Sequence, residues 1–155
     1  MVVVPMSTKA GVVAILPYAN GKVLLQLRDQ KPDIVFPGHW GFFSGSIDDG
    51  ETPEQAAYRE LWEELEYRPQ QLIKLAARKI PELNKISHIY YCPLNISVET
   101  LILHEGMDFG LFSWEEIMNL RLYSSQRKAF FPVVSTLFVL TAIKDVLEKA
   151  HSQGL

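Results

Sequence analysis

The carboxylates crowded into residues 45–67 are the side chains of this sequence best suited to bind a cation. Eight of the chain's 18 acids lie there with one arginine, so the stretch carries a net charge of −7 while the whole chain carries −3. A folded protein concentrates like charge in this way where something cationic binds. Clustered carboxylates and backbone carbonyls suit the hard divalent ions Mg²⁺ and Mn²⁺. The acids are Asp48, Asp49, Glu51, Glu54, Glu60, Glu63, Glu64 and Glu66.

The second half of this stretch has the pattern of a helix over about residues 53–66. Thr52 is a good N-cap, Pro53 suits the first helical position, and Gln55 completes a capping box with Thr52. At about 100° per residue, Glu60, Glu63 and Glu64 share one arc of the helix. A second arc is apolar and predicts the core face. Its members are Ala57, Tyr58, Leu61, Trp62 and Leu65.

Two simpler explanations of the acidic stretch fit less well. A solvated acidic helix face usually interleaves lysine or arginine, and here only Arg59 lies within the set, four residues before Glu63. An EF-hand loop with Gly50 as its central glycine would place Gly45 at its first ligand position and Ala56 at its last. Neither residue offers a carboxylate, so that calcium motif is excluded.

The spacing of these residues resembles the Nudix box, G-x5-E-x7-R-E-U-x-E-E-x-G-U, in which U is a bulky apolar residue. Gly45 begins the match and residues 59–64 supply its central R-E-L-W-E-E run, so six of the seven fixed positions agree. The chain departs from the box at Glu66, which replaces glycine, and has Tyr67 at the final apolar position. Ser44 precedes the box where glycine is common.

The resemblance implies a role for each matching residue. Glu63 and Glu64 would be the principal ligands of Mg²⁺ or Mn²⁺. Glu60 would be a third ligand or a base acting on the attacking water. Arg59 would orient the carboxylates, and Glu51 would anchor or complete the metal shell.

Four further positions follow from the same resemblance. The Ser44 carbonyl would face the metal, and Gly45 would let its loop approach the helix closely. Many family members add an acid from a loop after the box, for which Glu105 and Asp108 are the candidates; the sequence does not choose between them.

The reaction implied is hydrolysis of a pyrophosphate bond in a nucleoside diphosphate derivative, a nucleoside triphosphate or nucleotide sugar included, by water attacking phosphorus. Trp40, Phe42 and Tyr90 are candidate contacts for the base, although each also fits a core position. The alternatives are a regulatory Nudix-like domain that binds a nucleotide without hydrolysing it, and an isomerase of the same superfamily. No box carboxylate is lost, which favours hydrolysis. The sequence does not identify the substrate.

Composition bounds the remaining possibilities. The 155 residues (17.7 kDa), 48% hydrophobic and 21% charged, predict one domain over residues 1–155 with a tail at residues 1–8. A pI near 5.8 argues against general nucleic-acid binding. The single cysteine, Cys92, allows no internal disulfide and favours a reducing compartment, so we expect a cytoplasmic protein.

The order of predicted elements resembles that of Nudix domains, and this resemblance implies an α/β fold, a Nudix-type α/β/α sandwich around a mixed sheet. Strands are predicted at residues 11–18, 22–28, 40–43, 72–80, 85–94 and 109–112, the last of these closing the sheet. Asn20 and Gly21 form the expected turn of the first hairpin. Ser113 and Glu116 predict a capping box for a short helix to about residue 120.

A C-terminal helix is predicted at about residues 132–151. The 15 residues 129–143 carry no charge, but about 20 are needed to span a membrane, so none is expected to do so. The apolar side chains would surround the helix, which requires burial on more than one side. We expect a second copy of the chain, in a homodimer, to cover the side of the helix that its own sheet leaves exposed. The alternative is that the helix lies in a deep groove formed by its own sheet and loops.

Overall fold

The computed structural model describes residues 11–80 and 84–154, so the tail predicted at residues 1–8 lies outside the described residues. The described chain contains nine strands, three α-helices and a short 3-10 helix at Val98–Thr100. The strands are β1 (Gly11–Ala19), β2 (Lys22–Leu27), β3 (Trp40–Gly41), β4 (Phe43–Ser46), β5 (Ile73–Ile80), β6 (Lys85–Pro93), β7 (Asp108–Ser113), β8 (Arg121–Ser124) and β9 (Ala129–Pro132). The helices are α1 (Pro53–Leu65), α2 (Trp114–Ile117) and α3 (Leu137–Ser152).

The main sheet is mixed, as predicted. Its seven strands follow the order β3-β2-β1-β6-β5, with β4 also paired to β1 and β7 to β2. Strands β1 and β6 run parallel, and the other pairs run antiparallel. The first hairpin turns at Asn20 and Gly21, whose φ angles of 50° and 76° suit a tight two-residue turn.

The two faces of this sheet bury different helices. On one face Val13, Ile15 and Leu24 pack with the buried residues of α1. On the other face Ala14 and Leu16 pack with α3. Successive residues of a strand point to opposite faces, so one strand such as β1 serves both cores. The result is the predicted α/β/α sandwich.

Helix α1 begins as the sequence predicts. Thr52 Oγ1 accepts a hydrogen bond from the Gln55 amide (3.1 Å), and Gln55 Oε1 accepts one from the Thr52 amide (2.9 Å). The prediction of its core face was partly wrong, because Trp62 is exposed and lies under the guanidinium of Arg68, 4.3 Å from the ring centroid. The helix is rotated so that Glu60 and Glu64, rather than Trp62, face the sheet.

The C-terminal region differs from the prediction in two ways. Strand β7 is the last strand of the main sheet, as predicted, but it is followed by two strands that were not predicted, β8 and β9, which form a separate hairpin. Residues 129–132 belong to β9, so α3 begins at Leu137 instead of about residue 132. Thr136 caps the helix by accepting a hydrogen bond from the Val139 amide at 3.3 Å. Pro132 instead ends an edge strand, where its missing N–H costs nothing.

Helix α3 is covered mainly by its own sheet. Its buried residues are Val139, Ala142, Ile143, Val146 and Ala150, whereas Leu137 is 84% exposed at the first turn. The homodimer was predicted because an apolar helix face was expected to be left uncovered. Most apolar residues of α3 are buried within the chain, so the homodimer stays a prediction. None of the helices in the described part of the chain has the length and apolar character needed to cross a membrane.

Substituting Ile143 by Glu should destabilise the protein by several kcal/mol, because Ile143 is fully buried and an unpaired charge would enter the core. Leu137→Glu is the matched control, with the same substitution at an exposed position of the same helix. Urea denaturation should show a large loss for the first variant and a change within about 0.5 kcal/mol for the second. Equal stability of the two variants would contradict the packing of α3.

Candidate functional site

Strand β4 runs close beneath helix α1 at Gly45. A Cβ atom built at Gly45 would lie 2.0 Å from Cδ of Glu60, which leaves no room for any larger residue without displacing that carboxylate. The glycine therefore permits the approach of strand to helix that buries Glu60.

The Arg59 guanidinium connects the acidic loop to the helix. It donates two hydrogen bonds to Glu51 (2.7 and 2.9 Å) and one each to Glu60 (2.9 Å), Glu63 (3.2 Å) and the Ser46 carbonyl (2.9 Å). The bonds from Arg59 lower the pKa of Glu51, and the same contacts raise the pKa of Arg59. Arg59 is therefore the counter-ion around which the loop is folded.

Glu60 and Glu64 are buried, Glu64 to 2% exposure. Desolvation raises the pKa of Glu60 to about 7, an effect that the bond from Arg59 opposes. Desolvation also raises the pKa of Glu64 to about 9, and repulsion from Glu60 and Glu105 adds to it. Without a cation nearby, burial therefore favours the protonated form of Glu64.

One oxygen of Glu64 has no internal partner. Its Oε1 is 3.5 Å from the Gln26 side-chain amide, while Oε2 is buried and accepts no hydrogen bond from the described residues. A buried polar atom left this way costs free energy. A divalent cation would satisfy this oxygen and remove the repulsion, so the residues fit such an ion.

The carboxylates are not yet arranged as a metal shell. Within residues 11–80 and 84–154, no three His, Cys, Asp or Glu side chains are grouped closely enough to hold an ion. Arg59 bonds to Glu60 and Glu63, and the Glu63 side chain is 55% exposed. An ion bound by Glu60 or Glu63 would therefore compete with Arg59 for these carboxylates.

The loop after β6 is fastened to the end of α1. The Ile102 amide donates to the Leu65 carbonyl (3.3 Å), and the His104 amide donates to the Glu64 carbonyl (2.9 Å). Glu66, at the glycine position of the box, adopts the left-handed conformation that glycine favours (φ 52°, ψ 37°). Its carboxylate lies 2.6 Å from His104 Nε2, so the replacement adds a second attachment for this loop.

The same loop separates the two candidate acids. Glu105 lies at the pocket edge near Glu64, with its carbonyl accepting a bond from Gln26 (3.0 Å). Asp108 is buried elsewhere, where its Oδ2 accepts hydrogen bonds from Ser124 Oγ (2.7 Å) and the Gln126 amide (3.3 Å). The structure therefore brings Glu105, and not Asp108, to the carboxylates.

A pocket of about 660 Å³ extends from these carboxylates across the α3 face of the sheet. Among the candidate base contacts, only Phe42 lines it, close to Phe138 with ring centroids 6.5 Å apart. Trp40 is fully buried and donates its indole N–H to the Leu122 carbonyl (3.1 Å). Tyr90 is buried in the core on the α1 face. Packing thus keeps both of these rings out of the pocket.

Sequence reasoning missed two pocket residues. Arg28 lines the pocket; burial lowers its pKa, and the charges of Glu64 and Glu105 oppose that change. Ser87 also lines the pocket, with a buried Oγ that has no partner among the described residues. Ser87, Ile89 and Tyr91 alternate along β6 and are all buried. A serine among buried apolar residues on the same face of a strand is the sequence feature that could have identified Ser87 as a pocket residue.

Comparisons with known proteins agree with this geometry. A family model described as the NUDIX domain matches residues 8–132. An RNA pyrophosphohydrolase of Psychrobacter sp. (strain PRwf-1) is 44% identical over 69 residues, which is 44% of this chain and 36% of that protein. Another, from Aeromonas hydrophila subsp. hydrophila, is 50% identical over 40 residues, covering 26% of this chain and 23% of that protein.

Two solved structures share the fold. The E. coli dihydroneopterin triphosphate pyrophosphohydrolase superposes with a TM-score of 0.66 at 18% identity, covering 91% of this chain and 97% of that one. The NUDIX domain of Shewanella oneidensis NrtR, crystallised with ADP ribose, gives 0.65 at 19% identity, covering 90% and 86%.

The metal-free protein should lose stability as pH rises from about 4.5 to about 9. The pKa values of Glu60 and Glu64, about 7 and about 9, lie above their ordinary 4.5. The folded state then holds protons that the unfolded state releases in this window, so each group lowers stability by about 1.4 kcal/mol per pH unit at most. Glu64→Gln should flatten the decline seen in urea denaturation with EDTA.

Glu63→Gln is the control for that measurement, because its side chain is largely exposed. It should leave the decline in place. A wild-type protein whose stability rises steadily from about pH 5 to 9 would contradict the burial of these two acids.

Proposed function

The chain belongs to the Nudix family, and on that premise we propose that it hydrolyses a pyrophosphate bond in a nucleoside diphosphate derivative with Mg²⁺ or Mn²⁺. The observation that carries this proposal is the buried Glu64 carboxylate, which has an unpartnered oxygen beside Glu60 and faces a pocket large enough for a nucleotide. Both oxygens of Glu51 accept hydrogen bonds from Arg59, whereas one oxygen of Glu64 accepts none from the described residues. A metal ligand is expected to have such an oxygen when no ion is bound.

Each acid has a distinct part in this proposal. Glu63 and Glu64 hold the ion, and the Ser44 carbonyl and Glu51 complete or anchor its surroundings. A bound divalent ion neutralises phosphate charge and lowers the pKa of water. Glu60 takes the proton from the attacking water or serves as a further ligand.

The remaining pocket residues receive the substrate. Arg28, which lines the pocket and interacts electrostatically with Glu64 and Glu105, neutralises phosphate oxygens there. Phe42 and Phe138 offer an apolar surface for a base or another flat group farther along. Glu105 stands at the rim, where it supplies an additional carboxylate.

The relatives suggest which compounds to screen. Two are named for RNA pyrophosphohydrolase activity, and the structural neighbours are titled for dihydroneopterin triphosphate and ADP ribose. All of these compounds contain a pyrophosphate linkage. A phosphate-release screen with Mg²⁺ should therefore include triphosphorylated RNA, nucleoside triphosphates, nucleotide sugars and ADP ribose.

A second candidate is a domain that binds a nucleotide without hydrolysing it. The observation in its favour is that Arg59 bonds to Glu60 and Glu63, so no finished metal shell exists among the described residues. Calorimetry that shows nucleotide binding without phosphate release in the same screen would select this candidate.

The single cysteine bears on the compartment in which the proposed enzyme works. Cys92 is buried, and burial raises the pKa of its thiol to about 12, so it is unreactive. A chain whose one cysteine is buried and unreactive is suited to a reducing compartment, so we propose that the enzyme is cytoplasmic. A homodimer is likewise retained as a proposal, to be tested by light scattering.

Glu64→Gln and Glu63→Gln should each reduce turnover by about 100-fold or more, because each removes a carboxylate proposed to hold the ion. Glu115→Gln is the matched control, since Glu115 is an exposed acid in the first turn of α2 and is remote from the pocket lining. Full activity of either site variant, or of the wild type in excess EDTA, would refute the assignment.

Added Mg²⁺ should raise the melting temperature of the wild type more than that of Glu64→Gln. A ligand that binds only the folded state stabilises it by RT ln(1 + [L]/Kd), about 2.7 kcal/mol at 100 times Kd. Differential scanning fluorimetry over a Mg²⁺ series measures this shift without any substrate. An equal or larger shift in the variant would exclude Glu64 as a ligand.

A further inference from the structure

The β8–β9 hairpin presents an exposed face that the carboxylate site does not use. Tyr123 lies opposite Phe130 and Arg121 opposite Pro132 in the strand register. These four residues point outward and are exposed, while Leu122 between them is buried. We call Arg121, Tyr123, Phe130 and Pro132 the hairpin platform.

The platform exposes two aromatic rings side by side. Tyr123 is 48% exposed and Phe130 58%, and their centroids lie 5.3 Å apart in an edge-to-face arrangement. The Arg121 guanidinium lies 5.4 Å from the Phe130 centroid. Adjacent exposed aromatics held beside a guanidinium form a surface on which flat groups can stack.

The hairpin beneath this surface is firmly attached. The Trp40 indole N–H donates to the Leu122 carbonyl, and Ser124 Oγ donates to the buried Asp108 carboxylate (2.7 Å). The Gln126 amide also donates to Asp108, at 3.3 Å. Asp108 therefore serves as an anchor for the hairpin, and the platform is preorganised for a ligand.

The segment that carries the platform is basic, between the acids Glu116 and Asp145 that flank it in the sequence. Residues 117–144 contain four basic side chains and no acid. Two of them, Arg127 and Lys128, are exposed in the turn of the hairpin. The pI of the whole chain does not show that this segment is basic, because the eight acids of residues 45–67 make the chain acidic overall.

We propose that the hairpin platform binds single-stranded nucleic acid. Unpaired bases stack on Tyr123 and Phe130, and the sugar–phosphate backbone runs towards Arg127 and Lys128. A duplex hides the faces of its bases and offers the rings nothing to stack on. A second copy of the platform would bring Arg121 and its basic neighbours against their equals, so charge complementarity favours the polyanion. The observations are independent of the carboxylate site.

The test is fluorescence anisotropy with a 5′-fluorescein-labelled RNA strand of about ten nucleotides, within the range bound by one small domain. EDTA is present throughout, so hydrolysis plays no part and a failure here leaves the proposed activity untouched. Tyr123→Ala combined with Phe130→Ala should weaken binding about tenfold or more, because both stacking rings are removed. Leu137→Ala, another exposed apolar truncation, should leave binding unchanged.

A second pair of variants tests the phosphate contacts. Arg127→Ala with Lys128→Ala should reduce the slope of log affinity against log salt by about 1.4, or about 0.7 for each lost contact. Lys74→Ala with Lys79→Ala is the charge-matched control, since both lysines are exposed on β5. This control should retain the wild-type slope.

The same strand annealed to its complement should bind more weakly than the single strand. Absence of single-strand binding, full binding by the aromatic double variant, or equal binding of the duplex would each overturn the proposal. Concentration-dependent dimerisation in light scattering, abolished by the aromatic double variant, would also overturn it and assign the platform to a second copy of the chain.

Discussion

The Arg59 guanidinium makes the acidic stretch compatible with a folded chain. Its bonds to Glu51, Glu60 and Glu63, and to the Ser46 carbonyl, join the loop after β4 to helix α1. A planar group with five donors can do this, whereas a lysine ammonium cannot span the same acceptors. The loop after β4 and the Glu60 carboxylate are therefore both held by hydrogen bonds from this one side chain.

Arg59 does not, however, compensate the acids completely. Glu64 stays buried with one oxygen unpartnered, and desolvation raises its pKa to about 9. Such a group reduces the stability of the metal-free fold, and its presence is explained by what the site is proposed to bind. Glu66 and His104 contribute on the same side of the pocket, because their pairing keeps the loop that carries Glu105 against the end of α1.

Opposite charges are segregated on this chain. Glu64 and Glu105 line the pocket, while Arg121 lies over the Phe130 ring and Arg127 and Lys128 occupy the turn of the same hairpin. Asp108 was one of two candidates for the additional acid of the site, but in the structure it fastens the hairpin. The position of an acid in the loop after the box does not by itself identify a metal ligand. Hydroxyl and backbone N–H donors can bind the carboxylate instead, as Ser124 and Gln126 bind Asp108.

Local signals in the sequence determined the capping box of Thr52 and Gln55, the turn at Asn20 and the spacing of the box acids, because each depends on neighbouring residues. The rotation of α1, which turned Glu60 and Glu64 inward and left Trp62 outside, was decided by packing against the sheet. Residues 129–132 suit a strand or a helix equally well, and pairing with β8 settled the choice. Long-range contacts of this kind have no signal within a local window, so only the tertiary structure could decide them.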